Sequence, residues 1–339
     1  LLALDTNGNV WALGANEHGQ LGTNSRTAST VPVKVYKGEQ NSGDSYLSGI
    51  VDISASKFVS AAIDVNGDIY RWGANEYGQL GDGSVSCAYE PINVTALNGK
   101  DIVSVHAGES IALTRDGEVY TWGHNDYGQL GLGNASIVVS TPQKVESLPE
   151  IVSISAGKQH TMVLGADGYV YSFGDNSLGQ LGAPSKDTSK RSSTPVVAQG
   201  LNKVISISIG AGGSATKAVR YDGTLWGWGE NSNHQINNTN NRYYSYPVKI
   251  DLGDEFNGHI LRTYDGLYHV VAMLDNGRII SWGANSEGQL GQGIDERGSL
   301  LYYAPDYVDV FDGTNNYAVD ISVGALHNLA ITADGRVMS

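Results

Sequence analysis

The feature that most constrains this chain is a ten-residue phrase that keeps returning. Trp72-Gly73-Ala74-Asn75-Glu76-Tyr77-Gly78-Gln79-Leu80-Gly81 comes back, nearly word for word, at 13–22, 122–131, 173–182 and 282–291, with a worn copy at 228–237. Six copies of one phrase predict a repeat architecture, in which one supersecondary unit is stacked again and again.

Each copy carries the same grammar. A strand-like run comes first, such as Ile151-Val152-Ser153-Ile154-Ser155-Ala156-Gly157. A period of two places Val152, Ile154 and Ala156 on one face of that strand. A second run follows at 160–164, then Asp167-Gly168, then a third run at 169–173. The phrase and a variable loop come next, and a short proline strand such as 142–145 ends the unit.

The most regular punctuation is Asn-Gly or Asp-Gly, at Asn7, Asn66, Asp116, Asp167, Asp222, Asn276 and Asp334. Between apolar runs this pair predicts a hairpin, read here as a type I′ turn with positive φ. The successive separations are 59, 50, 51, 55, 54 and 58 residues. About four short strands per such period describe the blades of an all-β, seven-bladed β-propeller. The repeats fall at 1–49, 50–100, 101–149, 150–201, 202–257, 258–316 and, as a partial copy, 317–339. The first lacks a leading strand and the last a proline strand. Grouping each proline strand with the three strands after it gives six full blades and a two-stranded stub at 1–15; a six-bladed ring is the alternative.

Composition narrows the function. With 35 acidic against 21 basic residues the net charge is −14, which disfavours a nucleic-acid partner, since phosphate binding draws on a basic face. No apolar run reaches the roughly 20 residues of a membrane helix, so no membrane insertion is expected of this segment. The chain starts at Leu1 and is read as an excerpt of a longer polypeptide, with flanking domains joined covalently or by assembly. The one cysteine, Cys87, allows no internal disulfide and no cysteine-based zinc framework. No cofactor or metal is expected.

The linked motifs carry a family resemblance. Trp-Gly-x-Asn-x-x-Gly-Gln-Leu-Gly, preceded by an Asp-Gly hairpin and by Ala156-Gly157-Lys158-Gln159-His160-Thr161, resembles the regulator of chromosome condensation repeat along the whole chain. The resemblance implies a seven-bladed propeller. It implies less about activity, because the family spans a nucleotide exchange factor, ubiquitin-ligase domains, a photoreceptor and bacterial surface proteins.

Within the phrase, Gly73, Gly78, Gly81, Gly123, Gly128 and Gly131 are assigned to tight turns and close approach between blades. Gln79, Gln129 and their equivalents are assigned to hydrogen bonds with buried backbone, and Trp72, Trp122, Trp228 and Trp282 to the core between blades. His160, with His269 and His327 at the same repeat position, is read as a polar blade contact rather than a metal ligand. In the worn copy His234 and Asn237 replace glycines, which predicts a loosened edge. Asp64-Val65-Asn66-Gly67-Asp68 is a hairpin rather than a calcium loop, since its glycine sits at the fourth place and not the sixth.

No Gly-x-Ser-x-Gly elbow, phosphate loop or His-Glu-x-x-His motif occurs, so catalytic residues are expected to be none. Partner binding is assigned to variable loops and to two tyrosine clusters, Tyr243, Tyr244 and Tyr246, and Tyr302, Tyr303 and Tyr307, the alternative being that these tyrosines pack along outer strands. The sequence therefore predicts a non-enzymatic protein-interaction scaffold, extracellular or at the cell surface, with unknown protein partners. The alternatives are a regulator acting in nucleotide exchange or within a ubiquitin ligase, and a glycan-binding module.

Overall fold

The computed structural model describes the chain except for residues 109, 158, 185–189, 211–212, 238, 254–255, 293–302 and 312–316. Among the described residues the chain forms seven antiparallel sheets, five of four strands and two, the first and last, of three. Each four-stranded sheet is a meander in sequence order, as in Ile50–Ala55, Val59–Asp64, Ile69–Gly73 and Ala88–Asn93. These sheets are the blades of the seven-bladed β-propeller class. Two compact units divide them, Leu1–Ile154 and Ser155–Ser339.

The blade boundaries correct one expectation. The proline strand pairs with the strand before it: Arg71 lies opposite Ile92, and Ser281 opposite Asp306. It therefore closes its own blade rather than opening the next. The segment at 1–15 is likewise no two-stranded stub, because Val10–Gly14 pairs with Ser29–Lys34 as well as with Leu2–Leu4. Consecutive strands tend to be neighbours in the sheet, and here the phrase and the variable loop return the chain to the edge of the strand it has just left.

The hairpin positions hold, but the turn type differs. The glycines adopt positive φ, 79° at Gly67 and 78° at Gly117, whereas the residue before each stays out of that region. Gly67 N–H donates to Asp64 O at 3.0 Å, and Asp64 N–H to Asp68 O at 3.0 Å. This is a three-residue loop, a type I turn closed by a left-handed glycine, not a type I′ turn. The same pair of backbone bonds closes on Thr114, Arg220 and Leu274, so the turn does not depend on the residue ahead of it; where that residue is an acid, it adds bonds. Asp64 Oδ1 accepts from Asn66 N–H (2.9 Å) and Asp68 N–H (3.0 Å), and Asp5 does the same for Asn7 and Asn9. In the fourth repeat Gly165 stands in that place, and the Asp167 carboxylate accepts the Tyr169 N–H instead, at 3.1 Å.

The leading strands hold a second correction. Ile50, Ile102, Ile151, Val204, Ile260 and Ala318 are buried, yet the next residues, Val51, Val103, Val152, Ile205, Leu261 and Val319, are exposed. Val152 is 54% exposed and does not join Ala156 on a buried face. The register explains this. A β-bulge separates Ile50 from Asp52, and the same irregularity follows Ile102, Val204, Ile260 and Ala318. One inserted residue inverts the alternation beyond it.

In the second blade the second and third strands, Val59–Asp64 and Ile69–Gly73, are buried along their length. In this blade neighbouring sheets cover both faces, so the strands are buried throughout, Asp64 and Arg71 included. The cores accordingly lie between successive sheets. Val10, Ala12 and Leu21 pack with Tyr70 and Trp72, and Ile63 and Leu80 pack with Trp122. Met162 and Leu164 pack with Trp228, and Val219 and Leu225 with Trp282.

Candidate interaction face

The phrase is a loop that satisfies itself. In the second repeat, Asn75 Oδ1 accepts the Leu80 N–H at 2.8 Å, and Gln79 Oε1 accepts the Tyr77 N–H at 2.8 Å. The same pair of bonds recurs in every copy, from Asn16 and Gln20 through Asn125 and Gln129 and Asn176 and Gln180 to Asn285 and Gln289. An amide at these positions replaces backbone partners that a tight loop cannot supply, and a buried N–H left without one costs about 1–3 kcal/mol.

The backbone carbonyl of the same glutamine reaches the next repeat. Trp72 Nε1–H donates to Gln20 O, Trp122 to Gln79 O, Trp228 to Gln180 O and Trp282 to Gln235 O, at 2.9–3.0 Å. A hydroxyl on the second strand often joins it: Ser60 to Gln20 O, Ser110 to Gln79 O and Thr216 to Gln180 O. Tryptophan suits this place because it fills the core and its polar edge still finds an acceptor. The last glycine of the phrase supplies the clearance. A Cβ on Gly81 would lie 2.8 Å from Trp122 Nε1, and one on Gly182 2.9 Å from Trp228 Nε1.

The worn fifth copy keeps these bonds. His234 takes the glycine's conformation at φ 56°, and Asn237 N–H adds a bond to Asn231 Oδ1 at 3.1 Å. The Trp282–Gln235 contact remains at 3.0 Å.

The Ala-Gly-x-x-His element has a comparable logic. Cβ atoms on Gly157, Gly266 and Gly324 would lie 2.7, 2.0 and 2.3 Å from Cε1 of His160, His269 and His327. Each glycine makes room for an imidazole ring. His160 Nε2 lies 3.4 Å from Thr216 Oγ1, and burial pulls its pKa down to about 4, so the ring is neutral. His269 Nε2 pairs with Asn328 Oδ1 at 2.7 Å.

The tyrosine clusters are divided by the structure. Tyr243 and Tyr246 are exposed, at 50% and 46%. Tyr244 packs against two cores, and its hydroxyl meets Asn237 Oδ1 at 2.7 Å and Thr239 Oγ1 at 2.6 Å. Tyr307 lies against Phe256 and beneath Arg278, and its hydroxyl accepts the Asn257 N–H at 3.0 Å. Tyr303 sits in a strand opposite Gly283, and Tyr302 lies outside the described residues.

Sequence reasoning missed a second exposed group on the phrase loops of the first three repeats. His18 stacks on Phe58 with ring centroids 4.6 Å apart and lies 3.5 Å from Glu76. Tyr77 stacks on His124, also at 4.6 Å, and His124 pairs with Asp126 at 2.9 Å. Phe58 and Tyr77 are 37% and 47% exposed. The signal was the two variable letters of the phrase, which carry a histidine in the first copy and tyrosines in the next two.

Residues 1–215 match the family described as RCC1-like domain, and residues 276–331 match the regulator of chromosome condensation (RCC1) repeat. The chain is 31% identical over 280 residues to the E3 ubiquitin-protein ligase HERC2 of Homo sapiens, covering 82% of this chain and 5% of HERC2. It is 28% identical over 338 residues to the ultraviolet-B receptor UVR8 of Arabidopsis thaliana, covering 97% of this chain and 72% of the receptor. The fold is shared with human WBSCR16, at TM-score 0.79, 23% identity and 97% and 83% coverage of the two chains. It is shared too with yeast RCC1 (Prp20), solved bound to Kap60, at TM-score 0.80, 20% identity and 98% and 79% coverage. Among the described residues no helix is long and apolar enough to cross a membrane.

Proposed function

We propose, from the premise that the chain belongs to the RCC1-like domain family, that it is a non-enzymatic protein-interaction scaffold. One observation carries this reading. The side-chain oxygens of the repeated Asn75 and Gln79 and their equivalents are engaged within the loop, and the backbone carbonyl of the glutamine bonds to the next blade. What remains at the surface is what differs from repeat to repeat, and such rigidly mounted variable groups suit recognition. Tyr243 and Tyr246 offer broad, stiff contact surface at small entropic cost. We place the protein at the cell surface or outside the cell, on its balance of 35 acidic against 21 basic residues.

The test is capture of partners by the immobilised chain, followed by the same capture with Tyr243→Ala/Tyr246→Ala. Both side chains are exposed, so the melting temperature should hold while the specific partner is lost. Equal capture by the two proteins would remove the tyrosines from the interface.

A second reading, service within a ubiquitin ligase or in nucleotide exchange, is favoured by the likeness to HERC2, of which this chain spans about a twentieth. Accelerated nucleotide release from a small GTPase, or recovery of ubiquitin-conjugating machinery as the captured partner, would replace the first reading with this one.

A further inference from the structure

We infer that His18, Glu76 and Cys87 form a binding site for one divalent transition metal, with Zn²⁺ the best chemical fit. The three residues come from two repeats. His18 belongs to the first phrase loop, Glu76 to the second, and Cys87 precedes the Ala88–Asn93 strand. One ligand atom from each lies within 4.8 Å of the other two, the one such group of three among the described residues.

The geometry suits a tetrahedral ion. Zinc bonds of about 2.0–2.3 Å place ligand atoms about 3.3–3.7 Å apart at the tetrahedral angle. His18 Nδ1 and Glu76 Oε1 are 3.5 Å apart, and Cys87 Sγ and Glu76 Oε1 3.8 Å. Two edges of the polyhedron thus already stand near their bound lengths, and a small side-chain rotation closes the third. The donor set of one thiol, one imidazole and one carboxylate is that of a borderline-soft cation, and the chain's net charge of −14 draws a cation in. The side chains of His18 and Glu76 are 29% and 53% exposed, so an ion enters from solvent and keeps a fourth position for water.

The ligands are held in place beforehand. The His18 ring rests on Phe58. Beside the site the two repeats are clasped together: Asn24 N–H donates to Tyr89 O at 2.9 Å, and a Cβ on Gly19 would lie 2.8 Å from Tyr89 Cα. His18 and Cys87 are therefore mounted one and two residues from a fixed contact. The arrangement is not a product of the repeat. The places equivalent to His18 hold Tyr77, Tyr127, Leu178, Asn233 and Glu287. A bound ion would tie the first repeat to the second and raise the stability of that junction.

The chain is stripped with chelator and titrated with Zn²⁺ by calorimetry and with Co²⁺ by absorption, as wild type and as Cys87→Ser, His18→Gln and Glu76→Gln. His124→Gln is the control for an exposed imidazole beside an acid. The expected result is one equivalent bound, a thiolate-to-cobalt charge-transfer band with tetrahedral d–d intensity, and a Zn²⁺-dependent rise in melting temperature. Cys87→Ser abolishes the band and the rise, His18→Gln and Glu76→Gln weaken binding, and His124→Gln changes neither. Urea midpoints without metal confirm that each variant folds. Absence of the band in the wild type, or the same zinc isotherm in Cys87→Ser and His18→Gln, overturns the assignment.

Discussion

Gly81→Ala carries two costs, one from the backbone and one from the neighbouring indole, which a comparison with Gly99→Ala separates. Gly81 has φ 84°, and its missing Cβ would stand 2.8 Å from Trp122 Nε1 and 3.1 Å from Trp122 Cδ1 and Cε2. Gly99 has a similar φ of 73°, but a Cβ there would meet nothing within 4 Å. Placing an L-residue in the left-handed region costs about 1–2 kcal/mol in both variants. At Gly81 the indole must also move, which adds about 1–3 kcal/mol of overpacking and puts the 2.9 Å bond from Trp122 to Gln79 O at risk. Gly81→Ala should therefore lose about 2–5 kcal/mol and Gly99→Ala about 1–2 kcal/mol. Urea unfolding followed by tryptophan fluorescence gives the stabilities, and exchange of the Trp122 indole proton reports the bond directly. The exchange should speed up in Gly81→Ala alone. Equal losses in the two variants, with an unchanged indole proton, would refute the view that this glycine exists to admit the tryptophan of the next repeat.

Three further outcomes follow from buried polar groups. His160 has a folded pKa of about 4 against about 6.5 for the free side chain, so between these values the unfolded chain holds more protons. Its contribution is whole above pH 6.5 and declines as pH falls towards 4, reaching a loss of roughly 2 kcal/mol by pH 5. Urea midpoints at several pH values should fall less steeply in His160→Gln; parallel curves would show that this histidine is not the group titrating. The fully buried Lys217 pairs with Asp265, which also accepts from Ser208, so Lys217→Ala should cost about 3–5 kcal/mol while Lys217→Met/Asp265→Leu costs far less, by equilibrium unfolding. Gly266→Ala would drive a Cβ to 2.0 Å from the His269 ring and should lower the melting temperature more than Gly335→Ala, where a Cβ meets nothing within 4 Å.

What the sequence made legible is what recurs. The Asn-Gly and Asp-Gly pairs marked the hairpin between the second and third strands of each four-stranded blade, because only glycine takes φ near 78° without strain. Six phrases marked the loops, because an asparagine and a glutamine at fixed offsets close the same two bonds each time. Two things were hidden. The turn type depends on which backbone groups pair across the loop, Asp64 with Asp68 and Leu274 with Arg278 alike, and the dipeptide alone does not say which. The bulge after Ile50 and its equivalents lies in strand pairing, and a period-of-two count along one strand holds no information about its partner's register. The tyrosines followed the same division. Tyr243 and Tyr244 are adjacent in sequence, but one faces solvent and the other closes a hydrogen-bonded loop with Asn237.

The departures from the repeat then acquire a meaning that the repeat cannot have. At the place of Arg71, Thr121 and Ser281 donate to the carbonyls of Leu130 and Leu290 in their own loops. Arg71 instead crosses to the next blade, donating to Ala107 O at 2.8 Å and Ser110 Oγ at 3.2 Å, with its guanidinium 5.0 Å from the Trp122 ring. Burial pushes its pKa down to about 9, so the charge is held at a real desolvation cost. Lys217 opposes Gly227 just as Ala61 opposes Arg71, which means the two buried cations occupy facing places of the same hairpin in different blades. His18 likewise stands where the other copies carry Tyr77, Tyr127, Leu178, Asn233 and Glu287. Identical blades would leave any junction free to accept any neighbour. Distinct polar contacts at chosen junctions make each junction recognise one neighbour, so a blade out of order would bury a charge without its partner, at a cost of several kcal/mol.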